Sequence, residues 1–193
     1  MRIGVFGGSF DPPHGGHVLV AKTARSFLKL DRLLWVPTYH PPHKDAPATP
    51  FIHRLGMVKA LADTASGETV SDIEATLPQP SFMLYTLRAL KQAEGAGHEW
   101  HLILGSDNWD DFHTWHQPDS VLREAAPAIF PRRGFPVRGA RRNAVVIPCV
   151  EVPGESRLLR SRFRKNPEAA LADLPESVAG YIRGHGLYGV PRP

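Results

Sequence analysis

The chain opens MRIGVFGGSFDPPHGGH (residues 1–17), a short apolar run followed by paired glycines, paired prolines and two histidines. The run over residues 2–6 predicts a buried strand, and apolar residues over 16–28 recur at helical spacing. His14 and His17 stand at the start of that helix, where unpartnered backbone N–H groups and the helix dipole favour anions. The stretch therefore predicts a phosphate site at the loop that joins the first strand to the first helix.

Strand and helix patterns alternate along the rest of the chain. Apolar runs predict strands over 32–36, 70–73, 100–104, 128–130 and 145–147. Helical spacing recurs over 51–63, 82–93, 120–125 and 175–183, and Ser81 is placed to cap the second of these helices. Four prolines make residues 38–50 a loop.

The strands are solid apolar runs, which is typical of a parallel sheet covered on both faces. The sequence thus predicts an α/β fold with a Rossmann-like, doubly wound, mostly parallel sheet. We expect one domain over 1–193, with a small C-terminal helical part over about 156–193. Ligands of such sheets bind at the carboxyl ends of the strands.

Composition narrows the class of protein. The 193 residues are 42% hydrophobic with a net charge of +4, and no apolar run approaches the roughly 18 residues that cross a membrane. Cys149 stands alone, so no internal disulfide is possible, and we expect a cytoplasmic protein. The positive charge suits a phosphate-bearing partner, although no nucleic-acid-binding motif accompanies it.

The glycine-rich turn matches neither the dinucleotide-binding pattern G-x-G-x-x-G nor the Walker pattern, which needs Gly-Lys-Ser/Thr. It resembles instead the signature of the adenylyltransferase and cytidylyltransferase superfamily. Further segments, in chain order, resemble bacterial nicotinate mononucleotide adenylyltransferases: PPHK (41–44), HRLGM (53–57), VSDIE (70–74), TLRAL (86–90), LGSDN (104–108), TWH (114–116) and LPESVAGYIRGHGLY (174–188).

This resemblance implies the reaction of ATP with nicotinate mononucleotide, in the presence of Mg2+, to give deamido-NAD and pyrophosphate. It assigns catalytic contacts with the phosphates to His14, His17, Lys44 and Arg164. It implies that the ATP side is formed by Gly7, Gly8, Ser9, Phe10, Gly105, Asp107 and Ser161. It implies that the mononucleotide meets Met83, Trp115 and Arg132, with the indole of Trp115 stacked on the pyridine ring.

Two departures from the family pattern leave alternatives open. Met83 stands where the family has a threonine near the nicotinate carboxylate, so nicotinamide mononucleotide stays an alternative substrate. The stretch LLRSRFR (158–164) replaces an ISSTxIR-like segment, with Ser161 expected to cap a helix and Arg164 one turn inside it. A nucleotide-binding paralogue without catalysis is therefore the other alternative.

Histidine pairs at 40/43, 98/101 and 113/116 have the spacing of metal ligands. No cysteine pair or acidic cluster accompanies them in the sequence, so we predict no zinc site held by the protein itself.

Overall fold

The computed structural model describes residues 1–42, 47–63, 66–132, 134–137, 144–148 and 155–192. Lys44 and Cys149 lie outside the described residues. Among the described residues, no helix is long and apolar enough to cross a membrane.

One parallel sheet forms the centre of the molecule, with six strands among the described residues in the order β3-β2-β1-β4-β5-β6. The strands are β1 (Arg2–Gly8), β2 (Arg32–Pro37), β3 (Glu68–Val70), β4 (Glu99–Gly105), β5 (Ala126–Phe130) and β6 (Val145–Val146). The first three strands add to the sheet in one direction, from β1 to β3, and the next three add in the other direction, starting with β4 beside β1. The strand order therefore reverses between β1 and β4, and in such sheets a ligand-binding crevice opens at the carboxyl ends of the two strands at the reversal.

Helices connect the strands and follow the sheet. They are α1 (Gly15–Leu28), α2 (Phe51–Leu61), α3 (Met83–Glu94), α4 (Ser106–Asp110), α5 (Pro118–Glu124), α6 (Ser156–Lys165), α7 (Pro167–Leu171) and α8 (Glu176–His185). The doubly wound α/β prediction is confirmed.

The two faces of the sheet are covered by different helices because side chains alternate along each strand. Val5 and Leu102 point to the face where α3 packs, through Leu84 and Leu87. Phe6, Trp35 and Ile103 point to the opposite face, where α1 packs. This burial on both faces explains why the strands read as unbroken apolar runs.

The C-terminal helices α6, α7 and α8 form a third cluster around Phe163, Leu171 and Ile182. Met57 of α2 joins this cluster, while its neighbour Val58 belongs to the cluster under the sheet. Helix α2 therefore attaches the C-terminal helices to the sheet.

Two local predictions are wrong. The strand expected over 70–73 ends at Val70, and Ile73 begins a 3-10 turn (Ile73–Thr76). Ser81 does not cap α3, which begins at Met83 after Phe82. The Ser81 hydroxyl instead accepts a hydrogen bond from the backbone N–H of His40 (3.1 Å), so it joins two loops.

We expect Leu87→Ala to lower the free energy of unfolding by about 2–5 kcal/mol, because it empties a fully buried site under the sheet. Leu158→Ala is the matched control, since Leu158 is 59% exposed on α6, and its effect should stay within about 0.5 kcal/mol. Urea unfolding followed by circular dichroism measures both. Equal losses in the two variants would contradict this packing.

Candidate active site

His14 and His17 form a close pair at the start of α1, with ring centroids 3.9 Å apart and ring planes inclined by 37°. His14 occupies the N-cap, and its Nδ1 accepts a hydrogen bond from the backbone N–H of Gly16 (3.1 Å). Nδ1 of His17 accepts in turn from the backbone N–H of His14 (3.2 Å). A neutral ring whose Nδ1 accepts carries its proton on Nε2. Both imidazoles thus have Nε2–H as their free donor.

The surroundings keep both rings neutral. Burial, with a smaller contribution from the charge of Arg132, lowers the pKa of His14 from 6.5 to about 4. Burial also lowers the pKa of His17 well below its usual value, followed by the effects of His14 and Arg132. Beside His17, the rings of Phe6 and Phe10 supply the apolar surface. The pair therefore offers hydrogen-bond donors without charge.

Phe10, which the resemblance assigned to the ATP side, has its side chain in the core instead, so a contact from that side chain is ruled out. Its side chain is 2% exposed and packs edge-on against Phe6 and Trp35. Gly8 has no side chain to obstruct this packing, since a Cβ there would lie 3.1 Å from the Phe10 ring. Phe10 therefore supports His17 and the loop from the core side.

A second group gathers where β4 and β5 end. Arg132 donates from Nη1 to Oδ2 of Asp107 (2.8 Å), and its backbone N–H donates to the Ser106 hydroxyl (2.8 Å). Gly105 makes this possible, because a Cβ there would lie 2.3 Å from Oδ1 of Asp107. That Oδ1 is buried, and no donor among the described residues reaches it.

Arg132 is thus on the histidine side of the crevice. Its charge acts on both His14 and His17, and it is absent from the described lining of the cleft beside β1. The expected contact of Arg132 with the mononucleotide stays a prediction. The arginine follows β5, two strands away from β1, and its ion pair with Asp107 holds it over the end of β4.

The cleft beside β1 encloses about 230 Å³. Its described walls include Gly7, Gly8, Ser9, Glu74, Met83 and Trp115. Met83 lies over Gly7, where its Cε would be 2.9 Å from an added Cβ. The indole of Trp115 packs against the ring of Phe112, with ring centroids 5.1 Å apart. The sequence-predicted residues Gly7, Gly8, Ser9, Met83 and Trp115 are thus brought together.

Buried polar residues that the sequence reading missed hold these walls. Arg54 of α2 is 1% exposed and donates to the carbonyls of Ser9 (2.8 Å) and Thr38 (2.7 Å), which belong to the loops after β1 and β2. Glu74, also 1% exposed, accepts from the backbone N–H of Tyr39 and from the Thr86 hydroxyl (both 2.9 Å). Both residues lie inside the segments HRLGM and VSDIE, which carried the resemblance, although neither was assigned a role.

Ser161 and Arg164 do not stand at a helix start, and their predicted placement is wrong. Helix α6 begins at Ser156, so Ser161 lies in its interior and Arg164 is exposed in its last turn. Ser156 and Arg160 are the serine and arginine that lie in the first turns of α6, although no side chain caps this helix. The Ser156 hydroxyl donates to the Pro12 carbonyl (3.0 Å), and Nη1 of Arg160 donates to the Asp11 carbonyl (2.6 Å). The structure thus brings the start of α6 onto the histidine loop.

The pKa of His14 makes stability depend on pH. Between about 6.5 and about 4 the unfolded chain binds the proton and the folded ring does not, so stability falls as the pH falls through this window. We expect His14→Asn to remove about 3 kcal/mol of this acid destabilisation, since asparagine keeps a capping acceptor without the imidazole. Urea unfolding across the window measures it. Leu158→Ala should keep the wild-type slope, and a wild-type slope in His14→Asn would contradict the assignment.

Comparisons with known proteins agree with this geometry. Residues 5–162 match the family model described as cytidylyltransferase-like. A protein of Gemmatimonas aurantiaca named "Probable nicotinate-nucleotide adenylyltransferase" is 36% identical, over 97% of this chain and 92% of its own. A protein of Thermus thermophilus with the same name is 36% identical, over 97% of this chain and 100% of its own.

Solved structures show the same fold. Plasmodium falciparum nicotinic acid mononucleotide adenylyltransferase complexed with NaAD superposes with a TM-score of 0.79 at 19% identity, over 98% of both chains. The complex of that enzyme with APC gives a TM-score of 0.75 at 20% identity, again over 98% of both chains. Taken with the sequence matches over nearly the whole length, these results identify the chain as a nucleotidyltransferase of the cytidylyltransferase-like family, among its nicotinate-nucleotide adenylyltransferases.

Proposed function

We propose that this protein transfers the adenylyl group of ATP to nicotinate mononucleotide, giving deamido-NAD and pyrophosphate in NAD biosynthesis. The observation that carries the proposal is the pair of neutral imidazoles at the start of α1, beside a cleft walled by an indole. We further propose that the whole chain acts as one domain. We place it in the cytoplasm, since a chain with a single cysteine needs no oxidising compartment.

In the proposed reaction an oxygen of the mononucleotide phosphate attacks the α-phosphorus of ATP. The bond from that phosphorus to the β-phosphate oxygen breaks, and pyrophosphate leaves with the electron pair. The nucleophile is already an anion, so no general base is required and catalysis rests on positioning and charge stabilisation. Nε2–H of His14 and of His17 supplies donors for the ATP phosphates. Mg2+ enters with ATP as part of the substrate, held mainly by the phosphates.

The group at the ends of β4 and β5 suits the nucleoside part of ATP. Oδ1 of Asp107 is buried without a described donor, and a ribose hydroxyl would supply one. Arg132 holds the other carboxylate oxygen in place and adds positive charge near the histidines. Lys44, which lies outside the described residues, stays a proposed clamp on the incoming phosphate.

The cleft beside β1 suits the mononucleotide. Trp115 offers an aromatic face to the pyridine ring. Phe82 and Met83 bring the first turn of α3 to the same cleft, and no side chain caps that turn. Its free backbone N–H groups and the helix dipole would bind the nicotinate carboxylate without the missing threonine hydroxyl. This favours nicotinate over nicotinamide, and Met83 is the reason to test both.

Pyrophosphate release from the purified protein with Mg-ATP and either mononucleotide tests the proposal. We expect release with nicotinate mononucleotide and little with the amide. Preference for the amide would transfer the specificity to nicotinamide mononucleotide and keep the mechanism. A folded protein that binds ATP and releases no pyrophosphate with either would contradict the proposal and favour the non-catalytic alternative. Binding that ignored ATP and weakened steeply with salt would indicate a nucleic acid partner.

We expect His17→Ala to lower kcat about a hundredfold, because it removes one fixed donor to the reacting phosphates. The fold should lose only about 1 kcal/mol, for one hydrogen bond to the His14 amide. His185→Ala is the control, since it removes an exposed imidazole from the end of α8. Wild-type turnover in His17→Ala would eliminate the phosphate role of this residue.

We expect Trp115→Ala to raise the KM for the mononucleotide about 5- to 150-fold, with the KM for ATP little changed, because aromatic stacking contributes about 1–3 kcal/mol per base. Trp115→Phe keeps an aromatic face, so its KM for the mononucleotide should lie between those of the wild type and Trp115→Ala. Steady-state kinetics with each substrate varied in turn measures the effect. If the KM for ATP changed more than the KM for the mononucleotide, Trp115 would contact ATP, which would contradict this assignment.

A further inference from the structure

Residues after α8 return to the histidine loop. The helix ends at His185, Gly186 caps it, and Tyr188 then takes a φ of +54°. Its ring stacks on Phe163 of α6, with centroids 4.9 Å apart. Its hydroxyl donates to Oδ1 of Asp11 (2.6 Å), a carboxylate that is 2% exposed. A residue from the C-terminal end of the chain is therefore inserted beneath the loop that joins β1 to α1.

The direction of this hydrogen bond is fixed by its surroundings. Burial and the neighbouring Asp11 carboxylate raise the pKa of Tyr188 above its usual value, so the phenol keeps its proton and donates. Non-glycine residues take φ near +50° only where the surroundings hold them there. Tyr188 and Phe10, the residue before Asp11, both do so.

Three further hydrogen bonds hold the same loop. Arg54 donates to the Ser9 carbonyl (2.8 Å), Arg160 to the Asp11 carbonyl (2.6 Å) and Ser156 to the Pro12 carbonyl (3.0 Å). These three bonds end on backbone carbonyls. Tyr188 differs from these three because its hydrogen bond ends on a side chain of the loop, the Asp11 carboxylate. Nη1 of Arg160 also lies 4.0 Å from Oδ2 of Asp11, so an ion pair supports the same carboxylate, and the shorter hydrogen bond from Tyr188 fixes its Oδ1.

The position of Asp11 bears directly on the histidines. Only Pro12 and Pro13 separate it from His14, and prolines transmit a displacement because their φ is fixed. If Asp11 moves, His14 moves with it, and the histidine pair loses the alignment that its two backbone hydrogen bonds give it.

We propose that Tyr188 is a positioning residue for this reaction: its hydroxyl, acting through Asp11, holds the histidine loop in the geometry in which both imidazoles meet the ATP phosphates. The role rests on the proposed function. Through Tyr188, the C-terminal helical part would position the catalytic histidines, although Tyr188 is absent from the described lining of the cleft.

Tyr188→Phe tests this role, because phenylalanine keeps the stack on Phe163 and removes only the hydroxyl. At saturating substrates, well below the melting temperature, we expect kcat to fall about tenfold or more, since small misplacements of reacting groups have large kinetic effects. The KM for the mononucleotide should stay near the wild-type value, because Trp115 and Met83 belong to other elements. Tyr181→Phe, which removes a hydroxyl from α8 that lies 3.4 Å from His53, should keep the wild-type kcat.

Amide hydrogen exchange gives a second measurement that does not depend on turnover. The N–H groups of His14 and Gly16 are hydrogen-bonded to the two imidazoles. We expect both to exchange faster in Tyr188→Phe than in Tyr181→Phe, while amides of the β1 strand keep their protection. This localised change distinguishes a loosened loop from a protein that is less stable throughout.

Unchanged kcat in folded Tyr188→Phe would overturn the proposal, and so would equal losses in the two variants. Unchanged exchange at His14 and Gly16 would overturn it as well. A wild-type protein that releases no pyrophosphate would instead contradict the proposed function. The exchange comparison would still show whether Tyr188 holds the loop, so the two failures are distinguishable.

Discussion

The structure depends on two backbone N–H groups that donate to the Nδ1 atoms of His14 and His17. Because each Nδ1 is occupied as an acceptor, each neutral ring presents Nε2–H as its donor. Burial then disfavours the charged form of both rings. The proposed site for the ATP phosphates is therefore built from oriented dipoles, to which Arg132 adds a nearby charge. Oriented donors of this kind need no reorganisation when charge develops during the reaction.

Such a loop needs a rigid support, and the chain supplies it from segments distant in sequence. Arg54 ties the loops after β1 and β2 together, while Arg160 and Tyr188 reach the same region from the C-terminal part. Burial lowers the pKa of Arg54, but the neighbouring charge of Asp11 is among the groups that raise it, so the buried polar groups compensate one another. Because the loop keeps both buried histidines uncharged, the free energy of unfolding falls at acid pH.

Features that depend on local sequence patterns were predicted from the sequence. Apolar runs indicated the parallel sheet, and the spacing of His14 and His17 after a glycine-rich turn indicated the phosphate site. The errors arose where long-range partners decide the outcome. Phe10 looked like a site residue by position, yet tertiary packing buries it. Arg54 was missed because its role is visible only when carbonyls up to 45 residues away come together. Ser161 was misplaced because the basic stretch around it offers no strong cap to mark where α6 begins.

The neutral, Nε2-protonated state of the histidine pair is the central claim, and a 15N-histidine correlation spectrum of the protein at neutral pH tests it most directly. The chemical shifts of Nδ1 and Nε2 report which nitrogen carries the proton. The account predicts unprotonated Nδ1 and protonated Nε2 in both His14 and His17. An imidazolium at either position, or a proton on either Nδ1, would contradict it, because the backbone N–H groups would then have no acceptor and the phosphate donors would point elsewhere.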